Sequence, residues 1–276
     1  MNQAYVLNRS EREFDRLDLQ GMLYRDVTYR ALTSAGICAG MRVLDVGCGS
    51  GDVTRLTAEL VGPSGSVLGV DMDAESIRSA RVRAAQLNVS NVEFQVGEAA
   101  SAVQPGSFDA LVARFFLMHQ SVPAKTLADI AKAVRPGGVV MMLESHMAGL
   151  LDGQHSFPKS QLYDEIVRWK CRVVAAAGAD IESGLALYRT FQAAKLPSPA
   201  LRMDAPVEGG PDSYIYRYMA ESVRSMLPTA LANNIGGFSA ERVDGLESKL
   251  RDHVLANDGV LVCWPVVSAG CRLKAV

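Results

Sequence analysis

Val43-Leu44-Asp45-Val46-Gly47-Cys48-Gly49-Ser50-Gly51-Asp52 is the stretch on which the fold turns. Met41–Val46 is a short apolar run ending at glycines, as a buried strand does. The chain must then turn sharply, which glycine permits because it has no Cβ. The missing side chains also let a ligand approach the backbone. Val53, Leu56 and Leu60 share one face of the helix that follows. Asp52 is placed to cap this helix and Gly62-Pro63 to stop it.

The same alternation continues outward from this turn. Val67–Val70 reads as a second strand. Asp73 caps a helix with Ile77, Ala80, Ala84 and Leu87 inward, and Asn88 suits its end. Val92, Phe94 and Val96 alternate in a third strand, and Phe108–Ala113 is a fourth. Leu127, Ile130, Ala131 and Val134 have helical spacing. Pro136-Gly137-Gly138 breaks that helix and leads into a fifth strand, Val139–Glu144. Strands alternating with helices imply a mainly parallel sheet covered on both faces, with ligands beyond the strand C-termini.

Residues 1–40 read as N-terminal helices (Glu11–Gln20, then Met22–Thr33) and residues 41–146 as the binding core. Residues 147–276 read as helical cap segments interleaved with the last two strands, Ala200–Val207 and Val260–Val267. Helical patterns flank Gly178 and fall near 212–232 and 239–256. The segments are too short for a second sheet domain.

The composition narrows the function classes. Of 276 residues, 49% are hydrophobic, so a sizeable core can be buried. A net charge of −2 offers no basic surface for nucleic acid. No apolar run approaches the roughly 20 residues that span a bilayer. The five cysteines form no Cys-x-x-Cys pair, against a disulfide framework or zinc site. No metal is expected. The chain reads as cytoplasmic, with a small-molecule partner and at most a second copy of itself; neither nucleic acid nor membrane is expected.

The acids decide which ligand the turn suits. Asp71 ends the second strand, where a carboxylate can accept both hydroxyls of a ribose. A dinucleotide fingerprint, Gly-x-Gly-x-x-Gly, would place its third glycine where Asp52 stands. A carboxylate there repels a pyrophosphate at the helix N-terminus. Asp45 adds a second acid. Together they favour a cationic ligand over NAD, which leaves an NAD-dependent oxidoreductase as the weaker reading.

Asp45-Val-Gly-Cys-Gly-Ser-Gly51 resembles the first motif of the class I S-adenosylmethionine-dependent methyltransferases. Val67-Leu-Gly-Val-Asp71 resembles their second. Val96-Gly97-Glu98-Ala99-Ala100 resembles the motif after the third strand, with Glu98 where many members have Asp. Phe108–Arg114 and Val134–Gly138 resemble the fourth- and fifth-strand motifs. Beyond the core the chain resembles the small-molecule branch that includes ubiquinone- and menaquinone-type C-methyltransferases.

The resemblance implies a Rossmann-like α/β sheet, mainly parallel with an antiparallel last strand, under a helical cap. It also implies S-adenosylmethionine as cofactor and a small apolar or aromatic acceptor methylated on oxygen, nitrogen or carbon. A protein that keeps the cofactor pocket without methyl transfer, as a cyclase or binding module, is the other reading. Pro265 lacks a ladder donor, so the last strand is expected to bulge or end near it.

Implied cofactor contacts are Asp45, Gly47, Cys48, Gly49, Asp71, Met72, Gly97, Glu98, Ala99, Arg114 and Phe115. Tyr5 and Gln20 are implied in an N-terminal helix closing over the cofactor. His119, Glu144 and His146 are the candidate bases nearest the strand ends. Phe116, His146, Tyr214 and Tyr218 are the candidate acceptor contacts, with Tyr214 and Tyr218 expected on one helix face. For Arg114 a salt bridge to a helix end competes with a cofactor role. For the tyrosines ordinary packing competes.

Overall fold

The computed structural model describes residues 11–98, 104–151 and 155–275. In chain order its elements are α1 (Glu11–Leu23), α2 (Arg25–Ala35), β1 (Arg42–Val46), α3 (Asp52–Val61), β2 (Ser66–Asp71), α4 (Ala74–Gln86), β3 (Val92–Val96), β4 (Phe108–Arg114), α5 (Pro123–Ala131) and β5 (Val134–Ser145). There follow β6 (Ser156–Phe157), α6 (Gln161–Ala176), α7 (Ser183–Ala193), β7 (Ala200–Asp204), β8 (Val207–Gly209), α8 (Ile215–Ala232), α9 (Ala240–Asp244), α10 (Leu246–Ala256), β9 (Val260–Val262) and β10 (Val266–Arg272). The chain divides into two units. No helix among the described residues is long and apolar enough to cross a membrane.

The first unit comprises Arg25–Ser145, Ser183–Met203 and Val266–Val276. Its sheet has the order β3-β2-β1-β4-β5-β10-β7. The β1–β2, β2–β3, β1–β4 and β4–β5 pairs are parallel, and β10 runs antiparallel to β5. Strands β1, β4 and β5 are buried nearly throughout because both faces are covered. The strand order reverses between β1 and β4, which puts the ligand-binding crevice at the C-terminal end of β1.

Local chemistry sets the element ends. The α4 N-cap is Asp73, which accepts the Ser76 N–H at 2.6 Å. Asn88 takes a left-handed φ of 54° just past the end of α4. The α3 cap differs from the sequence expectation. Gly51, at φ 78°, is the N-cap, and Asp52 is already helical. Strand β5 also starts earlier than expected. Val134 pairs with Phe108 instead of ending the α5 helix, and the register then jumps to Ala110 opposite Val139. Pro136 has no N–H for the ladder, so the Pro-Gly-Gly segment forms a bulge. A Cβ on Gly138 would lie 2.6 Å from the Asp109 carbonyl oxygen. The strand expected over Val260–Val267 divides at Pro265: β9 ends at Val262 in a separate sheet, and β10 begins at Val266.

The second unit comprises Met1–Tyr24, His146–Glu182 and Asp204–Pro265. Helix α8 packs against α1, α6, α9 and α10. Its inward face carries Ile215, Tyr218, Met219, Ser222 and Met226, the helical spacing of a buried stripe. The sequence reading does not include the three-stranded sheet β6-β9-β8 that pairs here. Its strands have only two or three residues, too short for an alternating pattern to show.

Candidate functional site

The site is built from the β1 end of the first unit. Gly47, Gly49 and Gly51 have φ of 67°, 52° and 78°, left-handed values that glycine adopts without penalty. Each serves a different purpose. A Cβ on Gly47 would lie 2.7 Å from the Phe116 ring, and one on Gly51 2.8 Å from Phe94. Nothing stands within 4 Å of the Gly49 position, so its backbone lies open to a ligand. The Gly47 and Cys48 N–H groups donate to the Val70 carbonyl at 2.8 and 3.2 Å, closing the turn.

Asp71 holds this loop together. Its carboxylate accepts the Gly49 N–H and the Asp73 N–H, both at 2.9 Å. Asp45 is buried and accepts the Thr54 hydroxyl at 2.6 Å. Burial, aided by the negative charges of Asp52 and Asp71, pushes its carboxyl up to about 7, against Thr54 and Arg114. Asp52 pairs with Arg114, whose guanidinium also donates to the Thr28 hydroxyl at 3.1 Å. The Arg114 Nε is buried without a partner among the described residues. Arg114 thus pairs with Asp52 and acts on Asp45, while Asp71 adds a further carboxylate to the surroundings of Asp45. That surplus of negative charge, with a backbone opening at Gly49 and an orphaned donor at Arg114, fits a ligand carrying a sulfonium, an ammonium and a carboxylate. It does not fit a pyrophosphate.

The raised carboxyls make stability depend on pH. Between 3.8 and about 7 the folded protein keeps a proton on Asp45 that the unfolded chain has released. Stability therefore falls as pH rises through this window and the loss is complete above about 7. Glu144 acts in the same direction between 4.5 and about 7. Asp45→Asn, which keeps an oxygen for Thr54, is expected to stabilise the protein by about 2–3 kcal/mol at pH 8. It should also flatten the decline of stability between pH 4 and 7 in urea unfolding. A variant less stable than the wild type at pH 8 would refute the assignment.

The other expected cofactor residues differ in what they can offer a ligand. Met72 is 67% exposed at the β2 end, and Glu98 is exposed. The Gly97 N–H donates to the Asp71 carbonyl. The Cys48 side chain packs inward with Ile77, Ala80 and Phe94, so Cys48 offers a ligand only backbone. Ala99 and Tyr5 lie outside the described residues. The Gln20 amide oxygen, in the second unit, accepts from Arg16 at 3.0 Å.

Phe115 follows β4 at φ 55°, with the Arg114 guanidinium over its ring. Phe116 packs against Gly47, which makes it a wall of the turn. Burial lowers the His119 imidazole below its usual value.

Glu144 corrects the expectation that it faces the acceptor as a base. It is fully buried, and its carboxylate accepts the N–H groups of Phe116, Leu117 and Met118 at 2.9, 2.7 and 3.3 Å. The Ser183 hydroxyl donates from 3.5 Å. Burial pushes the carboxyl up to about 7 despite these four donors. Glu144 is a positioning residue for the turn that carries Phe115 and Phe116.

In the second unit, the His146 N–H donates to the Pro265 carbonyl at 2.8 Å, and its ring Nδ1 is buried without a partner. Tyr214 and Tyr218 do not share a face as expected. Tyr214 precedes the first helical residue of α8 and is 51% exposed, whereas Tyr218 is buried. Lys170 is buried beside Tyr218 and escaped the sequence reading. A signal was present: Tyr163, Ile166, Lys170 and Val174 follow a helical stripe in which the lysine is the odd member.

Residues 37–195 match a family model described as a methyltransferase domain. Over 145 residues the chain is 34% identical to the ubiquinone/menaquinone biosynthesis C-methyltransferase UbiE of Pseudomonas savastanoi pv. phaseolicola, covering 51% of this chain and 57% of that protein. Over 132 residues it is 36% identical to the nocamycin O-methyltransferase of Saccharothrix syringae, covering 45% and 47%. The chain spans about half the length of these curated relatives. The solved YcgJ protein of Bacillus subtilis shares the fold at 18% identity, with a TM-score of 0.55 over 89% of this chain and 97% of that one.

Proposed function

Because the chain belongs to the methyltransferase-domain family, we propose that it methylates a small, apolar or aromatic acceptor using S-adenosylmethionine. When bound, this cofactor supplies a methyl group on a sulfonium and leaves as S-adenosylhomocysteine. The observation that carries the reading is Asp71 on the N–H of Gly49, whose backbone is otherwise open, with Asp45 buried on Thr54 and Asp52 paired with Arg114 close by. Asp71 holds the ribose hydroxyls, and the Gly47–Gly49 backbone faces the methionine portion. The orphaned Arg114 Nε offers a donor to its carboxylate.

Methyl transfer is an in-line displacement, which proximity and orientation accelerate without a covalent intermediate. A base is needed only where the acceptor atom carries a proton that must leave. Glu144, engaged by four donors, is assigned to positioning in this reading. One relative is named for transfer to carbon and another for transfer to oxygen, so the acceptor atom is left to assay.

Thermal unfolding with S-adenosylmethionine, S-adenosylhomocysteine and NADH in parallel tests the proposal. A ligand at 100 times its Kd stabilises by about 2.7 kcal/mol, a midpoint rise of about 5 °C or more. The rise is expected with the adenosyl ligands alone. A rise with NADH alone would overturn the cofactor assignment. Binding without S-adenosylhomocysteine release across an acceptor panel would sink methyl transfer and favour a binding protein or cyclase.

A further inference from the structure

The second unit contains a buried amine without an oxygen partner. Lys170 is 1% exposed on α6. Its Nζ stands 4.8 Å from the centre of the Tyr218 ring and 5.1 Å from that of Trp264. Its hydrogen-bond partner is the Met219 thioether at 3.6 Å, a weak acceptor, and no oxygen among the described residues accepts from it. The groups around it do not supply an anion. Arg16 on α1 adds a second positive charge, and its own carboxylate, Glu13, is held by three hydrogen bonds from that guanidinium. Tyr163, Tyr218, Cys171 and Cys263 are kept protonated by burial, their hydroxyls and thiols all pushed above their usual values.

A buried ammonium is costly unless paired. Two aromatic faces offset part of that cost. We propose that the Lys170–Tyr218–Trp264 cluster binds an aromatic or otherwise planar small molecule through an anionic oxygen, either a carboxylate or the oxyanion of an acidic enol or phenol. This binding does not rest on the methyl-transfer reading. Burial brings the amine down to about 7, so an arriving anion pairs with the protonated form and binding weakens above that pH.

The test is calorimetric titration of the full chain, with S-adenosylhomocysteine present, using three probes: 2-naphthoate, 5-phenylcyclohexane-1,3-dione as its enolate, and methyl 2-naphthoate. At pH 7 at least one anion is expected to bind about tenfold or more tightly than the neutral ester, the value of one charge-assisted hydrogen bond. A preference for the naphthoate identifies a carboxylate ligand, and one for the dione an enolic or phenolic ligand. Lys170→Met should abolish the preference while unfolding no earlier than the wild type, since it removes an unpaired buried charge. Lys170→Arg should keep the preference and remove its decline between pH 7 and 9. Equal binding of anion and ester by the wild type overturns the proposal, as does a preference that survives in Lys170→Met. Should Lys170→Met not fold, an unaltered decline in Lys170→Arg overturns it. The adenosyl-ligand thermal shift is read separately, so the cofactor assignment and this site can fail independently.

Discussion

Replacing Glu144 with alanine is expected to destabilise the fold by about 3 kcal/mol. The carboxylate is the acceptor for three consecutive backbone N–H groups, those of Phe116, Leu117 and Met118. An orphaned buried donor costs about 1–3 kcal/mol. Three such losses are partly offset by removing a carboxyl whose own burial is unfavourable. Glu144→Gln retains an oxygen for the two shorter bonds and should cost only about 1 kcal/mol. The damage should extend to the cofactor loop, because Phe116 packs on Gly47. Urea unfolding together with S-adenosylhomocysteine titration checks both points. A Gln variant with wild-type stability and cofactor affinity but no methyl transfer would restore Glu144 as a base and refute the positioning role.

Asp71→Ala is expected to weaken S-adenosylmethionine binding by about 1.5–3 kcal/mol, roughly 10- to 150-fold, through lost charge-assisted hydrogen bonds. The change also releases the Gly49 and Asp73 N–H groups, so the loop loses the carboxylate that shapes it. Asp71→Asn separates the two effects. Its amide oxygen can still accept from one of the two N–H groups, so a loss of affinity close to that of the alanine variant would trace to the charge. Calorimetry showing unchanged affinity in the alanine variant would remove Asp71 from the ribose.

Much of the first unit was legible in the sequence because it is encoded locally. The β1–α3 glycines, the Asp73 cap, the Asn88 stop and the strand break at Pro265 each follow from the backbone preferences of one or two residues. The Asp45, Asp52 and Asp71 cluster was legible because short turns at the ends of β1 and β2 leave those acids few other places to stand. The bulge at Pro136-Gly137-Gly138 was not, because a helix breaker and a ladder irregularity look alike until the partner strand is known.

By itself, then, the sequence determined the parallel sheet, the turn at its centre and the charge of the ligand it accepts, all properties of contiguous segments. The tertiary structure alone decided what the isolated side chains do. It turned Glu144 from a base into an anchor 26 to 28 residues from its donors, and it spent Asp52 on Arg114, 62 residues away. It also enclosed Lys170 between rings from two other segments. A side chain's role depends on the groups that desolvate and face it, and burial brings those together from parts of the chain that no local pattern connects.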